Sequence, residues 1–190
     1  AARAPLLAPE NPWQAMVDEV RQQANWLGDA QLSSKVTQRI KQELDLLPPH
    51  LSDATPTLIS FDTHPGNFLI RDDGRAVLVD LEKCRYGLPG IDLAHTSLYT
   101  STTWDINSQA DTDTLVACRR ATWLWSLTWC AKWRAQHLNA KDALQLGEDW
   151  SAELTDPTVI DHVRDRVEHY LSLPIIDHVH SELQCLQASL

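Results

Sequence analysis

The 190 residues carry 26 acidic against 16 basic side chains, a net charge of −10, and this acidic balance opposes nucleic acid or anionic membrane as a partner. A chain of this length buries about 70% of its unfolded surface in one core, so a single domain over residues 1–190 is expected. The apolar stretches fall short of the ~18 residues a membrane span needs, and the start lacks the basic-then-apolar order of a signal peptide. Cys84, Cys118, Cys130 and Cys185 form no Cys-x-x-Cys pair, so the expectation is a cytoplasmic protein with buried thiols, without zinc or disulfides.

Asn11-Pro12-Trp13-Gln14 has the form of a helix start: Asn as cap, Pro at the first helical position, Gln three residues after the cap. That helix is expected to run to about Trp26 and to end at Gly28. A second, from about Ser33 to Leu47, places Val36, Ile40, Leu44 and Leu47 on one face and stops before Pro48-Pro49. An ordered connector over 48–56 and the segment Thr57-Leu-Ile-Ser60 lead to the part of the chain that carries chemistry.

Within Ser60-Phe-Asp-Thr-His-Pro-Gly-Asn67, Asp62 and Asn67 stand on either side of a tight turn. Proline fixes its own φ and glycine tolerates positive φ, so Asn67 is expected to point back toward the cavity that holds Asp62. Phe68-Leu-Ile70 reads as a strand, Arg71-Asp-Asp-Gly74 as a hairpin turn and Ala76-Val-Leu-Val79 as the return strand, which delivers Asp80 beside Asn67. A base, an amide oxygen and a carboxylate in this order match what phosphoryl transfer requires. In the kinase template an aspartate accepts the proton of the attacking hydroxyl, an asparagine a few residues on holds one Mg²⁺, and a later aspartate holds the bridging metal against the phosphates of ATP or GTP. Asp62, Asn67 and Asp80 repeat that order. An Asp-rich hairpin with an asparagine in its turn is the bland alternative for any one of these residues alone.

Over residues 58–95 the chain resembles the aminoglycoside phosphotransferase and choline kinase family, which shares the protein-kinase-like fold. The resemblance rests on Asp62-Thr-His-Pro-Gly-Asn-Phe-Leu-Ile70, Leu78-Val-Asp-Leu-Glu-Lys83, Tyr86-Gly87, Pro89 and Ile91-Asp-Leu-Ala94. It implies Asp62 as catalytic base, Asn67 and Asp80 as metal and nucleotide-phosphate ligands, and Asp92 as a brace for the catalytic loop. Two departures stand out. Ser60-Phe61 replaces the usual His-Gly ahead of the aspartate, with His64 in its family position. Residues 1–57 hold no glycine-rich phosphate loop and no run of alternating strands, so the nucleotide-binding amino-terminal lobe is expected to be missing and the chain to be a fragment of a longer kinase-like protein.

Beyond Asp92, Leu93, Ala94, Leu98 and Tyr99 form a helical apolar set, followed by a polar loop at Thr100-Ser-Thr-Thr103. Trp104-Asp105 is then a candidate for substrate contact or a rim residue closing the core. A long helix is expected from about Thr112 to His137, with Trp125, Trp129 and Trp133 on one face. The stripe suits core packing, with an aromatic cage for a quaternary ammonium as the alternative. Asp156-Pro157 and Pro174 open two final helices, with Val159, Ile160, Val163, Val167 and Tyr170 facing the core from the first, and Ile175, Ile176, Val179, Leu183 and Leu186 from the second. His162, His169, His178 and His180 lack metal-ligand spacing and read as surface imidazoles.

The fold class expected is α+β, mostly helical, similar to the carboxy-terminal lobe of kinase-like phosphotransferases, with a small β-hairpin at the site. The partners expected are a nucleotide and a small hydroxyl-bearing molecule; the acidic charge suits a cationic one and equally serves solubility. Two other readings stay open: a non-catalytic lobe that binds a ligand or partner, and a metal-dependent phosphate hydrolase.

Overall fold

Asn11 and Ser33 start the first two helices by the same device, a side-chain oxygen that takes a backbone N–H the helix itself cannot pair. In the computed structural model, which describes residues 8–51, 55–63, 65–100, 112–139 and 157–188, Asn11 Oδ1 accepts from Gln14 N at 3.0 Å and Ser33 Oγ from Val36 N at 3.3 Å. They open α1 (Pro12–Ala24) and α2 (Ser34–Asp45). The Gln14 side chain does not return to the cap; its Nε2 donates to Asp18 one turn on, at 2.7 Å. Gly28 is not a left-handed helix end either. It keeps right-handed φ (−67°) after a 3₁₀ turn at Asn25–Leu27, and the positive φ falls at Gln31.

Four three-residue strands follow: β1 (Thr57–Ile59), β2 (Phe68–Ile70), β3 (Ala76–Leu78) and β4 (Arg85–Gly87). The hairpin expected from sequence is β2–β3, antiparallel with Phe68 opposite Leu78 and Ile70 opposite Ala76. Its turn closes through Gly74 N to Arg71 O (2.8 Å) and Arg71 N to Arg75 O (2.9 Å), with Gly74 at φ +78°, where glycine carries no steric penalty. A second antiparallel pair, β1–β4, sets Ile59 opposite Arg85 and Thr57 opposite Gly87. Gly87 allows this approach, because a Cβ there would lie 2.4 Å from Ile59 Cδ1. The remaining helices are α3 (Pro89–Thr100), α4 (Thr112–Asn139), α5 (Pro157–Tyr170) and α6 (Leu173–Ala188). The described residues are therefore mostly helical with two small antiparallel sheets, and none of their helices is long and apolar enough to cross a membrane. The expectations for His64, Trp104-Asp105 and Asp156, and for the side chains of Leu98, Tyr99, Val159, Ile160 and His162, lie outside what is described.

The chain divides into two compact units. The first takes residues 1–19, 47–123 and 186–190, and so contains all four strands and α3. Trp13, Met16, Val17, Ile59, Phe61, Leu88, Ile91 and Val116 are among its buried side chains. Trp13 Nε1 donates to Pro48 O at 2.9 Å and ties the first turn of α1 to the start of the 48–56 connector.

The second unit, residues 20–46 and 124–185, buries Val36, Ile40, Leu127, Val163, Val167, Ile176 and Leu183. Glu43 takes the place on α2 expected of Leu44. Leu44 is half-buried, whereas Glu43 is 0% exposed. Its Oε1 pairs with His180 Nδ1, which corrects the reading of His180 as a surface imidazole. Arg39 Nη1 lies 3.4 Å from His180 Nε2, and Arg39 Nη2 lies 3.3 Å from Asp177 Oδ1. Arginine only donates and a carboxylate only accepts, so this arrangement calls for Nδ1–H toward Glu43 and an Nε2 lone pair toward Arg39. The tryptophan stripe of α4 is mixed: Trp133 is buried and stacks on His137 with ring centroids 3.8 Å apart, while Trp125 and Trp129 are half-buried.

His180→Ala leaves a buried carboxylate without this donor, and is expected to lower unfolding free energy by roughly 2–4 kcal/mol in urea titration. Glu43→Leu added to that variant is expected to recover most of the loss, because it removes the buried carboxylate that lost its His180 donor. A second expectation concerns the thiols. Cys185 is exposed, Cys84 half-buried, and Cys118 and Cys130 buried. Burial pushes the Cys130 thiol up to about 12, with Arg166 drawing it back only in part. The fold thus favours the neutral thiol, a contribution held below pH 9 and lost as pH rises from there toward 12. At pH 8 a thiol reagent is expected to label Cys185 first, and Cys118 and Cys130 only on unfolding.

Candidate active site

β1 ends at Ile59, and the chain then enters a loop whose backbone is fixed by one side chain from the first turn of α3. Asp92 Oδ2 accepts from Ser60 N (2.9 Å) and Ser60 Oγ (3.2 Å), and Asp92 Oδ1 accepts from Phe61 N at 2.8 Å. The bracing role expected of Asp92 is thus visible, and Ser60 contributes its hydroxyl to it. The Asp92 carbonyl also accepts from Thr63 Oγ1 at 2.9 Å, so the loop is held on both sides of Asp62. The start of a helix is a favourable place for this carboxylate, since the peptide dipoles present positive charge there.

Phe61 passes through φ +63°, a region a bulky residue rarely occupies. Asp62 follows, half-buried. A 3₁₀ turn at Pro65–Asn67 then brings Asn67 back, and its Nδ2 donates to the Asp62 carbonyl at 3.0 Å. This bond fixes the amide's orientation: a carbonyl only accepts, so nitrogen must face it and Oδ1 must turn away. From Asn67 the chain runs directly into β2, and Val79 N donates to Asn67 O at 2.8 Å, extending the β2–β3 ladder by one position. Asp80 is the next residue. It is exposed, has φ +58° and ψ +63°, and starts a 3₁₀ turn at Leu81–Lys83 that its side chain does not cap.

Of the three residues singled out from sequence, Asp62 and Asn67 therefore share a hydrogen bond. Asp80 adjoins Asn67 through the backbone ladder, with no direct side-chain bond to either. Among the described residues, no group of three or more His, Cys, Asp or Glu gathers as a metal site. An Asn–Asp pair lies outside that description, and its two oxygen donors have the chemistry of a Mg²⁺ site, because this ion keeps several waters and takes only one or two protein carboxylates beside its phosphates.

Sequence reasoning missed Arg85. Its guanidinium carbon lies 3.3 Å from the Phe61 ring centroid, and its Nη1 donates to Glu19 Oε2 on α1 at 2.5 Å. The available signal was Phe61 itself, an aromatic where the family pattern has glycine.

The sequence matches the phosphotransferase enzyme family over residues 2–154, and the chain belongs to that family, the aminoglycoside phosphotransferase and choline kinase group. The match takes in the loop, both strand pairs and α4, and stops before α5. No curated protein and no solved structure matches the chain.

Asp92→Ala leaves the Ser60 and Phe61 amides without their acceptor. An unfolding cost of about 2–4 kcal/mol is expected in chemical denaturation, since bonds to a charged group are each worth about 1.5–3 kcal/mol. Asp92→Asn keeps one acceptor oxygen and is expected to lose less.

Proposed function

We propose that the chain works as the carboxy-terminal lobe of a kinase-like phosphotransferase, moving the terminal phosphoryl group of ATP or GTP to a hydroxyl of a small molecule. The observation that carries this reading is the bond from Asn67 Nδ2 to the Asp62 carbonyl, which ties the proposed base to the proposed metal ligand and leaves Oδ1 as the atom for a cation. Family membership supports the reaction class.

In this reading Asp62 orients the acceptor hydroxyl and takes its proton as the oxygen attacks phosphorus. Its carboxylate is half-buried and sits on a backbone held before and after it, which suits a base that must meet a substrate from solvent. Asn67 Oδ1 and the Asp80 carboxylate would hold Mg²⁺; bound there, it would neutralise charge on the phosphates. Asp80 suits this role because its left-handed backbone leaves the carboxylate uninvolved in capping. Non-glycine residues in that region concentrate where function requires them.

The strands beside these residues carry Leu58, Phe68, Leu69, Ile70, Val77 and Tyr86 exposed, Ile70 at 71%. Such a surface suits a nucleotide base or a covering lobe. The net charge of −10 favours a cationic acceptor.

Asp62→Ala is expected to lower phosphoryl transfer by about 10²–10⁴-fold while the urea midpoint stays within error of the parent. Asn67→Ala is expected to raise the Mg²⁺ concentration needed for half-maximal rate. Equal loss of folding and turnover in Asp62→Ala would make the residue structural, and phosphate release at full rate without any acceptor would make the protein a hydrolase.

A further inference from the structure

We infer that Arg85 and Phe61 form a positioning pair that fixes the backbone entering Asp62; its catalytic relevance rests on the reading of Asp62 as base. Phe61 combines two properties that oppose each other. Its φ of +63° is strained for any side chain with a Cβ, yet its ring is only 3% exposed. A left-handed aromatic persists only where its surroundings over-determine it. Among the contacts that do so here, the Phe61 amide is bonded to Asp92, the ring lies 5.9 Å from the His95 ring at 29°, and the Arg85 guanidinium sits 3.3 Å from the ring centroid. The last is a cation over a negative π face, and a planar guanidinium can stack there while its nitrogens bond elsewhere.

Arg85 is itself immobilised. Its Nη1 donates to Glu19 Oε2 at 2.5 Å, its Nη2 faces Met16 Sδ at 3.7 Å, and its backbone is held opposite Ile59 by the β1–β4 register. The strand pair thus sets the cation beside the residue that follows Ser60, and α1 supplies the carboxylate that keeps it there. Without the guanidinium, the ring loses one of its contacts and φ of Phe61 can relax toward negative values. That rotation turns the peptide joining Phe61 to Asp62. Asp62 then leaves its place, and displacements of about 1 Å at a reacting group cost about 10²-fold in rate. Arg85 touches no reacting atom in this scheme. A purely structural Arg85 would instead tie α1 to β4 without regard to Phe61.

Amide hydrogen exchange on the full chain separates the two cases and needs no turnover. Arg85→Ala is expected to speed exchange at the Ser60 and Phe61 amides by about tenfold with α4 amides unchanged, and Arg85→Lys to restore part of the protection. Phe61→Gly tolerates the same φ without strain, and in that background Arg85→Ala is expected to add less than about a twofold change at Ser60. In transfer assays Arg85→Ala is expected to lower kcat by about 10–100-fold with KM for nucleotide little changed. A uniform rise in exchange, or the same increment in the Phe61→Gly background, overturns the pair. Full kcat in Arg85→Ala, beside an inactive Asp62→Ala, overturns its catalytic relevance. Turnover surviving in Asp62→Ala removes the base reading instead, and the exchange coupling between Arg85 and Phe61 still decides whether the pair exists.

Discussion

The carboxylate of Asp92 holds two consecutive backbone amides, those of Ser60 and Phe61, and the placing of the loop that carries Asp62 rests on that restraint. A loop between a strand and a turn cannot satisfy its own N–H groups, and in a half-buried position an unpaired one costs about 1–3 kcal/mol. Asp92 meets this demand with charge-assisted bonds from the first turn of α3, while its own carbonyl takes the Thr63 hydroxyl. The backbone is thereby pinned on both sides of Asp62, whose side chain needs no contact of its own to be placed. In the proposed reading, separating the residue that holds from the residue that reacts would let a base stay accessible to its substrate.

Two strained residues mark where this architecture is under tension. Phe61 and Asp80 both have positive φ, at +63° and +58°. A left-handed conformation with a Cβ costs about 1–2 kcal/mol. Aspartate tolerates it comparatively well and phenylalanine poorly, so the larger compensation is found around Phe61, in Asp92, His95 and Arg85. The family pattern places glycine at that position, where no compensation is required. The aromatic here buries a ring beside the Asp62 loop, with the Arg85 cation over it.

Local chemistry wrote part of this structure plainly into the sequence. The Asn11 and Ser33 caps, the turn through Gly74 and the β2–β3 ladder that leads to Asp80 each depend on residues within a few positions of one another. The β1–β4 pair did not show, because three residues are too few for a period-2 pattern and their partners lie far apart along the chain, with Ile59 and Arg85 26 residues apart at either side of the hairpin. Glu43 was hidden for a related reason. It sits three positions after buried Ile40, at proper spacing for a core residue, but its charge argues for solvent until His180, 137 positions away, is seen beside it. The cation over Phe61 belongs to the same class, legible as an anomaly in the family pattern and unsolvable without the tertiary pairing that supplies Arg85.

Whether Asn67 and Asp80 share a cation is the question on which the functional reading turns, and manganese answers it directly because it accepts the same oxygen ligands as magnesium and broadens nearby nuclear resonances. In a titration of the full chain with Mn²⁺ and a nucleoside triphosphate, broadening is expected first at the amides of Asp62, Asn67 and Asp80, and is expected to vanish in Asn67→Ala/Asp80→Ala. Broadening that begins elsewhere, or that persists unchanged in the doubly substituted chain, would contradict a metal-assisted phosphoryl-transfer site at this hairpin.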